Sequence, residues 1–400
     1  MKPTRIAFDD ALQKVRDHAY AGPCEVLPVI MANGRILAQP VVAQRNCPPF
    51  DMSAMDGFAI RKDTLKLPGD HSLWIGEAQF AGEPMRPLSK NEARPIYTGA
   101  AVPSGTGAVL VKEKANIAGT SLLLSEALMA GANIRLTGED ARLNETVLDR
   151  PIRLNPAMVG TLSAYGVTNV TVRAKPRVAI LVLGDELAGS EDATADQIID
   201  ANGPMVRALL EDAGCSILQH TRIKDDAQAI CEALCSALDN GVNMIISTGG
   251  ASVGAKDLLR SSVEAIGALI YFHGAHMRPG KPVLFATSRS GVPIFGLPGN
   301  PVAALVGARF FIMSAIRAWY GMSGEQPILR WSDCQDSGQT RILKAYAKPT
   351  EAGSAVVVLP GQQSHMMRSL LAANAWIVQG GDQPRRLFPL FDLLNDRADE

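Results

Sequence analysis

The chain has almost no net charge: 39 Lys and Arg stand against 40 Asp and Glu, a formal charge of -1. That balance removes the broad basic face of a general nucleic-acid binder, so no nucleic-acid partner is expected, although local cationic sites for small anions stay open. Paired cysteines are missing too. The six present, Cys24, Cys47, Cys215, Cys231, Cys235 and Cys334, are scattered without a CxxC pair, which argues against a zinc ribbon or a disulfide framework. Cys231 and Cys235, four apart in a helical pattern, read as small core residues. The N-terminus, MKPTRIAFDD, has no apolar h-region and so no visible signal peptide. The most apolar long segment, residues 301–320, carries Arg309 and Arg317 and reads as a buried amphipathic helix, not a membrane span. No membrane partner and a cytoplasmic location are expected.

Several common catalytic signatures are also absent. The apolar run VAILVL at 178–183 is followed by GDELAGS instead of a dinucleotide-binding GxGxxG, and GxxxxGK[ST] does not occur. Hydride transfer on a Rossmann loop and Walker-type nucleotide hydrolysis both lose support. His273 and His276 lie three apart without further local ligands, so they are expected to line a wall or face solvent.

What is present is a folded-protein composition, 47% hydrophobic and 20% charged over 400 residues, long enough for two to four domains. Its organising stretch is NMIISTGGASVG at 243–254. Met244, Ile245 and Ile246 read as a buried strand, and Leu258, Leu259, Val263 and Ile266 return at helical spacing after the glycines. A strand, glycine turn and helix in that order allow close backbone approach and offer N–H groups to an anion. A glycine turn made only for packing explains that stretch equally well.

In chain order, a helix is expected from about Asp9 and a short helical pattern over 29–37. The loop RNCPPFDMSAMDGF at 45–58 sets Asp56 beside Gly57. Short alternating runs between Phe58 and Arg135 have the texture of a small β domain. Arg135 and Asp140 taken alone read as a surface ion pair. From Lys175 strands and helices alternate: a central strand at 178–183, a helix opened by Asn202 as cap with Pro204 just inside, a strand at 216–223, and a helix capped by Asp225-Asp226. This predicts a three-layer α/β domain on a parallel sheet. Loops at the carboxyl ends of such strands converge on one crevice. Asp185, Glu186, the 248–254 turn, Asp257, Arg278, Lys281 and the 298–301 loop are therefore expected together. Carboxylates suit Mg²⁺ and the cations suit oxyanions, which points to phosphate-anhydride or oxyanion chemistry.

Eight segments in order resemble the MoeA/gephyrin family of molybdopterin molybdenumtransferases: SAMDGFAI (53–60), TGAAVPSGTGAVLVKE (98–113), NIRLTGED (133–140), LGDEL (183–187), DANGPM (200–205), STGGASVGAKD (247–257), RPGKP (278–282) and GLPGNPVAALV (296–306). SHMMRSLLAANAWIV at 364–378 is similar to that family's last domain. The resemblance implies a multidomain α/β and β fold. An N-terminal helical and mixed linker domain would cover 1–45 and 141–174, and an inserted β domain 46–140. A central α/β molybdopterin-binding domain would cover 175–325, and a C-terminal β barrel 326–400.

It further implies a transferase of molybdenum cofactor biosynthesis, which inserts molybdenum from molybdate into adenylylated molybdopterin with Mg²⁺ and releases AMP. On this resemblance Asp56, Asp140, Glu186, Asp226 and Asp257 are the catalytic carboxylates, with Glu186 and Asp226 as metal ligands. Thr98, Arg135, Thr248, Gly249, Gly250, Ser252, Gly254, Arg278, Lys281, Pro298 and Pro301 would bind pterin, phosphate or molybdate. Asp56, Thr98, Arg135 and Asp140 would reach the α/β domain of the second subunit of a homodimer. A molybdopterin adenylyltransferase is the implied protein partner. Some members have lysine where Gly274 and Arg278 stand and an acidic residue at Ala255, and Arg278 keeps the charge with a different geometry. A non-catalytic pterin-binding or scaffolding relative is the alternative. The retained carboxylates argue against it.

Overall fold

The computed structural model describes residues 5–66, 71–149, 151–188, 194–250, 258–332, 338–350, 353–380, 383–391 and 394. Its α/β unit is built on a six-stranded sheet of β1 (Arg177–Leu183), β2 (Ser216–Ile223), β3 (Met244–Thr248), β4 (Leu269–His273), β5 (Leu284–Thr287) and β6 (Pro293–Leu297), in the spatial order β2-β1-β3-β6-β5-β4. The neighbours from β2 to β6 are parallel, whereas β5 runs antiparallel to both β6 and β4. The expected parallel sheet is therefore mixed at one edge. Only residues 288–292 separate β5 from β6, and a parallel pair needs a crossover of a dozen residues or more.

Both faces of this sheet are covered, by α1 (Phe8–Asp17), α3 (Asn202–Asp212) and α6 (Pro301–Trp319) on one side and α4 (Ala227–Asp239) and α5 (Leu258–Ala265) on the other; α2 (Pro156–Ala164) lies elsewhere. The unbroken apolar run of β1 explains this. Successive side chains alternate faces, so Val178, Ile180 and Val182 pack with Val206, Leu210 and Phe311, and Ala179, Leu181 and Leu183 pack with Ile230, Leu234 and Leu259. Helix α1 belongs to this packing: Phe8, Ala11 and Val15 enter the same core, and the Phe8 ring meets Phe310 and Phe311 edge-on at 5.5 and 5.7 Å. Helix α6 is not amphipathic, because 94% of its most apolar window is buried. Its Arg309, 1% exposed, is neutralised by a two-pronged pair with Glu325 at 2.7 Å and by the carbonyls of Pro389 and Leu390.

Two stretches of chain make the linker. Cys24–Pro28 pairs with Asn169–Arg173, and Val41–Val42 with Thr146–Leu148, around a core that includes Val29, Leu37, Leu154, Leu162 and Val170. The helical pattern over 29–37 forms only a 3₁₀ turn, Val29–Met31, since the chain reverses at Gly34 with φ +76°, outside the helical range. The inserted module is a six-stranded sheet made of Gly57–Arg61, His71–Ile75, Glu92–Ile96, Thr106–Val111, Asn116–Ala118 and Ser121–Leu124.

The C-terminal β unit contains Leu329–Arg330, Thr340–Thr350, Gly353–Val358, Ala375–Gly380 and Gln383–Pro389. It also recruits Met277–Arg278, which pairs in parallel with the first residues of Thr340–Thr350. The RPGKP segment thereby joins the α/β and C-terminal sheets. Among the earlier expectations, Cys235 is exposed and Cys231 half-buried, so neither is a core residue. His273 is buried and His276 exposed.

Candidate functional site

A cavity of about 520 Å³ opens at the carboxyl ends of β1, β3 and β6, where Val182 and Leu297 both stand opposite Thr248 in register. Three loops wall it. The first follows β1 and presents Gly184, Glu186 and Leu187; the second follows β3 with Gly249 and Gly250; the third follows β6 with Pro298, Gly299, Asn300 and Pro301. Gly249, at φ +80°, donates its N–H to Leu297 O at 3.1 Å. A Cβ added there would lie 2.2 Å from Leu183 O, so only glycine allows β1 and β3 to close this corner. The glycine turn is thus a packing requirement and a cavity wall at once.

A short parallel pair, Leu187–Ala188 with Ile198–Ile199, brings the chain back across the mouth. Ile198 N–H donates to Glu186 O at 2.8 Å, and Asp200 N–H to Ala188 O at 3.1 Å. Ile198 and Ile199 stay 61% and 54% exposed while lining the cavity, an apolar lip suited to the face of a ring. Behind them, Asp200 Oδ1 accepts the Gly203 N–H at 2.9 Å, and Asn202 Nδ2 donates to Gly299 O at 2.7 Å. Asn202 is therefore not the cap expected from its position. It is the first residue of α3, and its side chain ties that helix to the 298–301 loop.

Charge on the wall is of one sign. Glu186, Asp200 and Asp225 line the cavity, and no Lys or Arg does so among the described residues. Arg278 is exposed and Lys281 half-buried; the residue of that loop on the wall is Pro282. Asp226 Oδ1 caps α4 by accepting the Ala229 N–H at 2.8 Å, while its neighbour Asp225 reaches the wall and donates its own N–H to Asp185 Oδ1 at 3.1 Å. Asn202 Oδ1, on the cavity wall, is buried without a protein partner, and so is Thr248 Oγ1 at the end of β3, although Thr248 itself does not line the cavity. Ser252, Gly254 and Asp257, together with Ala255, lie outside the described residues.

The N-terminal candidates lie elsewhere in the chain. Asp56 Oδ1 accepts both the backbone N–H and the hydroxyl of Thr98 at 2.8 Å. Those two donors, helped by Lys112, hold the Asp56 carboxyl below the usual aspartate range by favouring its charged form. Asp51 is bound in the same way by Thr137, with both contacts at 2.8 Å. The two pairs pin the 50s loop at both ends. Asp140 does not pair with Arg135 as the surface reading expected; Asp140 Oδ2 accepts the Tyr165 hydroxyl at 3.0 Å. Burial, and then that carboxylate, push the Tyr165 phenol up. Asp56, Thr98, Arg135 and Asp140 are all exposed, and none lines the cavity of its own chain.

Asp200, Asn202 and Asp225 line the cavity and are not among the residues the sequence singles out. In the sequence Asn202 reads as a helix cap, Asp200 stands only within the DANGPM segment, and Asp225 pairs with Asp226 as a cap. The available signal was their place after the β1 loop and after β2, at the same ends of the sheet as the glycine turn.

Comparisons with known proteins agree with this architecture. Residues 6–166 match the family model described as MoeA N-terminal region (domain I and II), and residues 179–318 match that of a probable molybdopterin binding domain. A molybdopterin molybdenumtransferase of Staphylococcus epidermidis is 32% identical over 358 residues, covering 87% of this chain and 85% of that protein. Its Staphylococcus aureus counterpart is 30% identical over 100% of this chain and 97% of its own length. The crystal structure of the molybdopterin biosynthesis moeA protein from Pyrococcus horikoshii OT3 superposes with a TM-score of 0.80 at 26% identity, covering 97% of this chain and 100% of that one. With a relative at this identity aligned end to end, and two family models matching residues 6–166 and 179–318, the chain belongs to the MoeA family of molybdopterin molybdenumtransferases.

Proposed function

We propose that this chain inserts molybdenum from molybdate into adenylylated molybdopterin and releases AMP, in the last step of molybdenum cofactor assembly. The observation that carries the reading is the cavity at the strand ends. An apolar lip, a glycine turn and three carboxylate residues converge there, in a chain of this family. The lip suits a flat heterocycle, and the glycine turn admits a phosphate-bearing ligand close to the backbone.

Mg²⁺ fits the donor set. Glu186, Asp200 and Asp225 supply hard oxygens on one wall, and this ion is held by one or two carboxylates with substrate phosphate oxygens and water. Among the described residues no three-residue His, Cys, Asp or Glu cluster forms a closed cage, so substrate oxygens would complete the shell. Glu186 remains the first choice of ligand. Asp225 is better placed than Asp226, which holds the α4 cap. The ion would neutralise the anhydride and allow an anionic substrate into a carboxylate-lined cavity.

Asp56, Thr98, Arg135 and Asp140 would serve the cavity of a second copy in a homodimer, since they are exposed and do not reach their own. Arg278 and Lys281, beside Pro282, would receive molybdate at the rim, as cations do for a dianion. A molybdopterin adenylyltransferase would supply the substrate, and the reaction would take place in the cytoplasm.

The test is direct. Purified protein is given adenylylated molybdopterin, molybdate and Mg²⁺, and AMP release and molybdenum incorporation are followed together. Both products are expected, and the appearance of neither refutes the transferase reading. Glu186→Gln should slow turnover about 100-fold or more, the usual scale for a lost electrostatic or acid-base contributor, with sedimentation unchanged. An unaltered rate removes Glu186 from the site.

A further inference from the structure

Asn202 is 7% exposed and lines the cavity, yet only half of its amide is used. Its Nδ2 donates to Gly299 O at 2.7 Å. That carbonyl can only accept, so the bond fixes the amide orientation and leaves Oδ1 as the other group. Oδ1 is buried without a partner. A buried acceptor in that condition is destabilising unless something donates to it. Two donors next to it are already engaged: Gly203 N–H is held by Asp200 Oδ1, and Asn202 Nδ2 by Gly299 O; His220 Nε2 lies on the Asp200 side, beside Gly203. This corner therefore presents acceptors, the Asn202 carbonyl and the Asp200 carboxylate, behind the lip of Ile198 and Ile199.

We propose that Asn202 is a specificity residue of this cavity: its Oδ1 accepts an N–H from the amino-lactam edge of a bound pterin ring. The assignment rests on the pterin-binding reading above and goes beyond it by naming which edge is read and by what. An amino-lactam edge carries two adjacent donors, N3–H and the 2-amino group, which match two neighbouring acceptors. The edge of adenine offers one amino donor beside a ring-nitrogen acceptor, which would face an acceptor here. A site built to bond an N–H rejects the analogue that lacks it, because the buried acceptor is then left unpaired.

The experiment measures binding of 6-(hydroxymethyl)pterin phosphate, its N3-methyl derivative and AMP to the full-length protein by calorimetry. Wild type and Asn202→Ala are compared, with thermal unfolding of each recorded. Wild type should prefer the pterin over its N3-methyl derivative by about 10- to 100-fold, the range of one buried hydrogen bond. Asn202→Ala should erase most of that preference.

If Asn202→Ala weakens both pterins equally and keeps the preference, Asn202 acts only by holding the 298–301 loop, and the proposal is overturned. A loss confined to AMP assigns the residue to adenine and also overturns it. Failure of wild type to bind the pterin at all does the same. Absence of AMP release in the turnover assay with pterin discrimination intact counts against the transferase reading alone. Turnover without discrimination counts against Asn202 alone.

Discussion

Replacing Gly249 by alanine tests whether the corner between β1 and β3 is as tight as its geometry requires. The new Cβ would stand 2.2 Å from Leu183 O, about 1 Å or more inside ordinary contact. Its near neighbour is backbone, which cannot rotate away. Alanine at φ +80° adds about 1–2 kcal/mol of conformational cost, and relieving the overlap about 1–3 kcal/mol more. A loss of roughly 2–5 kcal/mol is therefore expected for the transition of the α/β unit. Leu183, Gly249 and Gly250 all line the cavity, so any shift that relieves the clash moves the wall and should weaken adenylylated molybdopterin in parallel. Denaturant titration gives the first quantity and calorimetry the second. Gly299→Ala is the paired control, expected within about 0.5 kcal/mol of wild type. A Gly249→Ala protein as stable as wild type, with unchanged affinity, would show that the corner has slack and that the steric argument is wrong.

Other consequences follow from single contacts. Thr98→Val removes the hydroxyl donor to Asp56 and should raise the Asp56 pKa, read by carboxyl-carbon NMR; an unchanged titration would dismiss the Thr98 hydroxyl as a cause. Because the folded Asp56 pKa is depressed, its contribution to stability is present above the unfolded value of about 4 and is lost as pH falls through the folded one. Wild type should show that loss at lower pH than Thr98→Val. Glu325→Ala leaves Arg309 buried with carbonyl acceptors only, and breaking such a pair costs about 3–5 kcal/mol, less here because the Glu325 side chain is 20% exposed. Equilibrium unfolding within about 0.5 kcal/mol of wild type would show that the carbonyls suffice.

The α/β unit was legible because its patterns are decisive in one dimension. An unbroken VAILVL run implies a strand buried on both faces, and the structure covers both faces of β1. Asp226 capped its helix as read. What sequence could not resolve was direction and side-chain commitment. The parallel expectation failed at β5, where a short connection decided the pairing. Asn202 and Asp226 both stood at helix starts, a position that suits capping and ligand contact equally, and only the carbonyl of Gly299 separates the two uses. Helix α1 lay in the linker by position and packs in the α/β core by contact, since the hydrophobic face of Phe8, Ala11 and Val15 records that a partner exists without recording which.

The sign of the cavity charge constrains how the proposed reaction can proceed. A wall carrying Glu186, Asp200 and Asp225 repels a phosphate anhydride and a molybdate dianion unless positive charge arrives with them. On the proposed reading that charge has two sources, a divalent cation carried on the anhydride and the rim cations Arg278 and Lys281, and they act at different places. The cation neutralises the anhydride where the wall is acidic, while molybdate is gathered where Arg278 leaves the sheet shared with Thr340–Thr350. Substrate binding should then depend steeply on the divalent ion, and molybdate capture should depend on ionic strength. If adenylylated molybdopterin binds as tightly with the cation chelated as with it present, the carboxylates do not face the anhydride, and Glu186 must act on the ligand in some way other than through a metal.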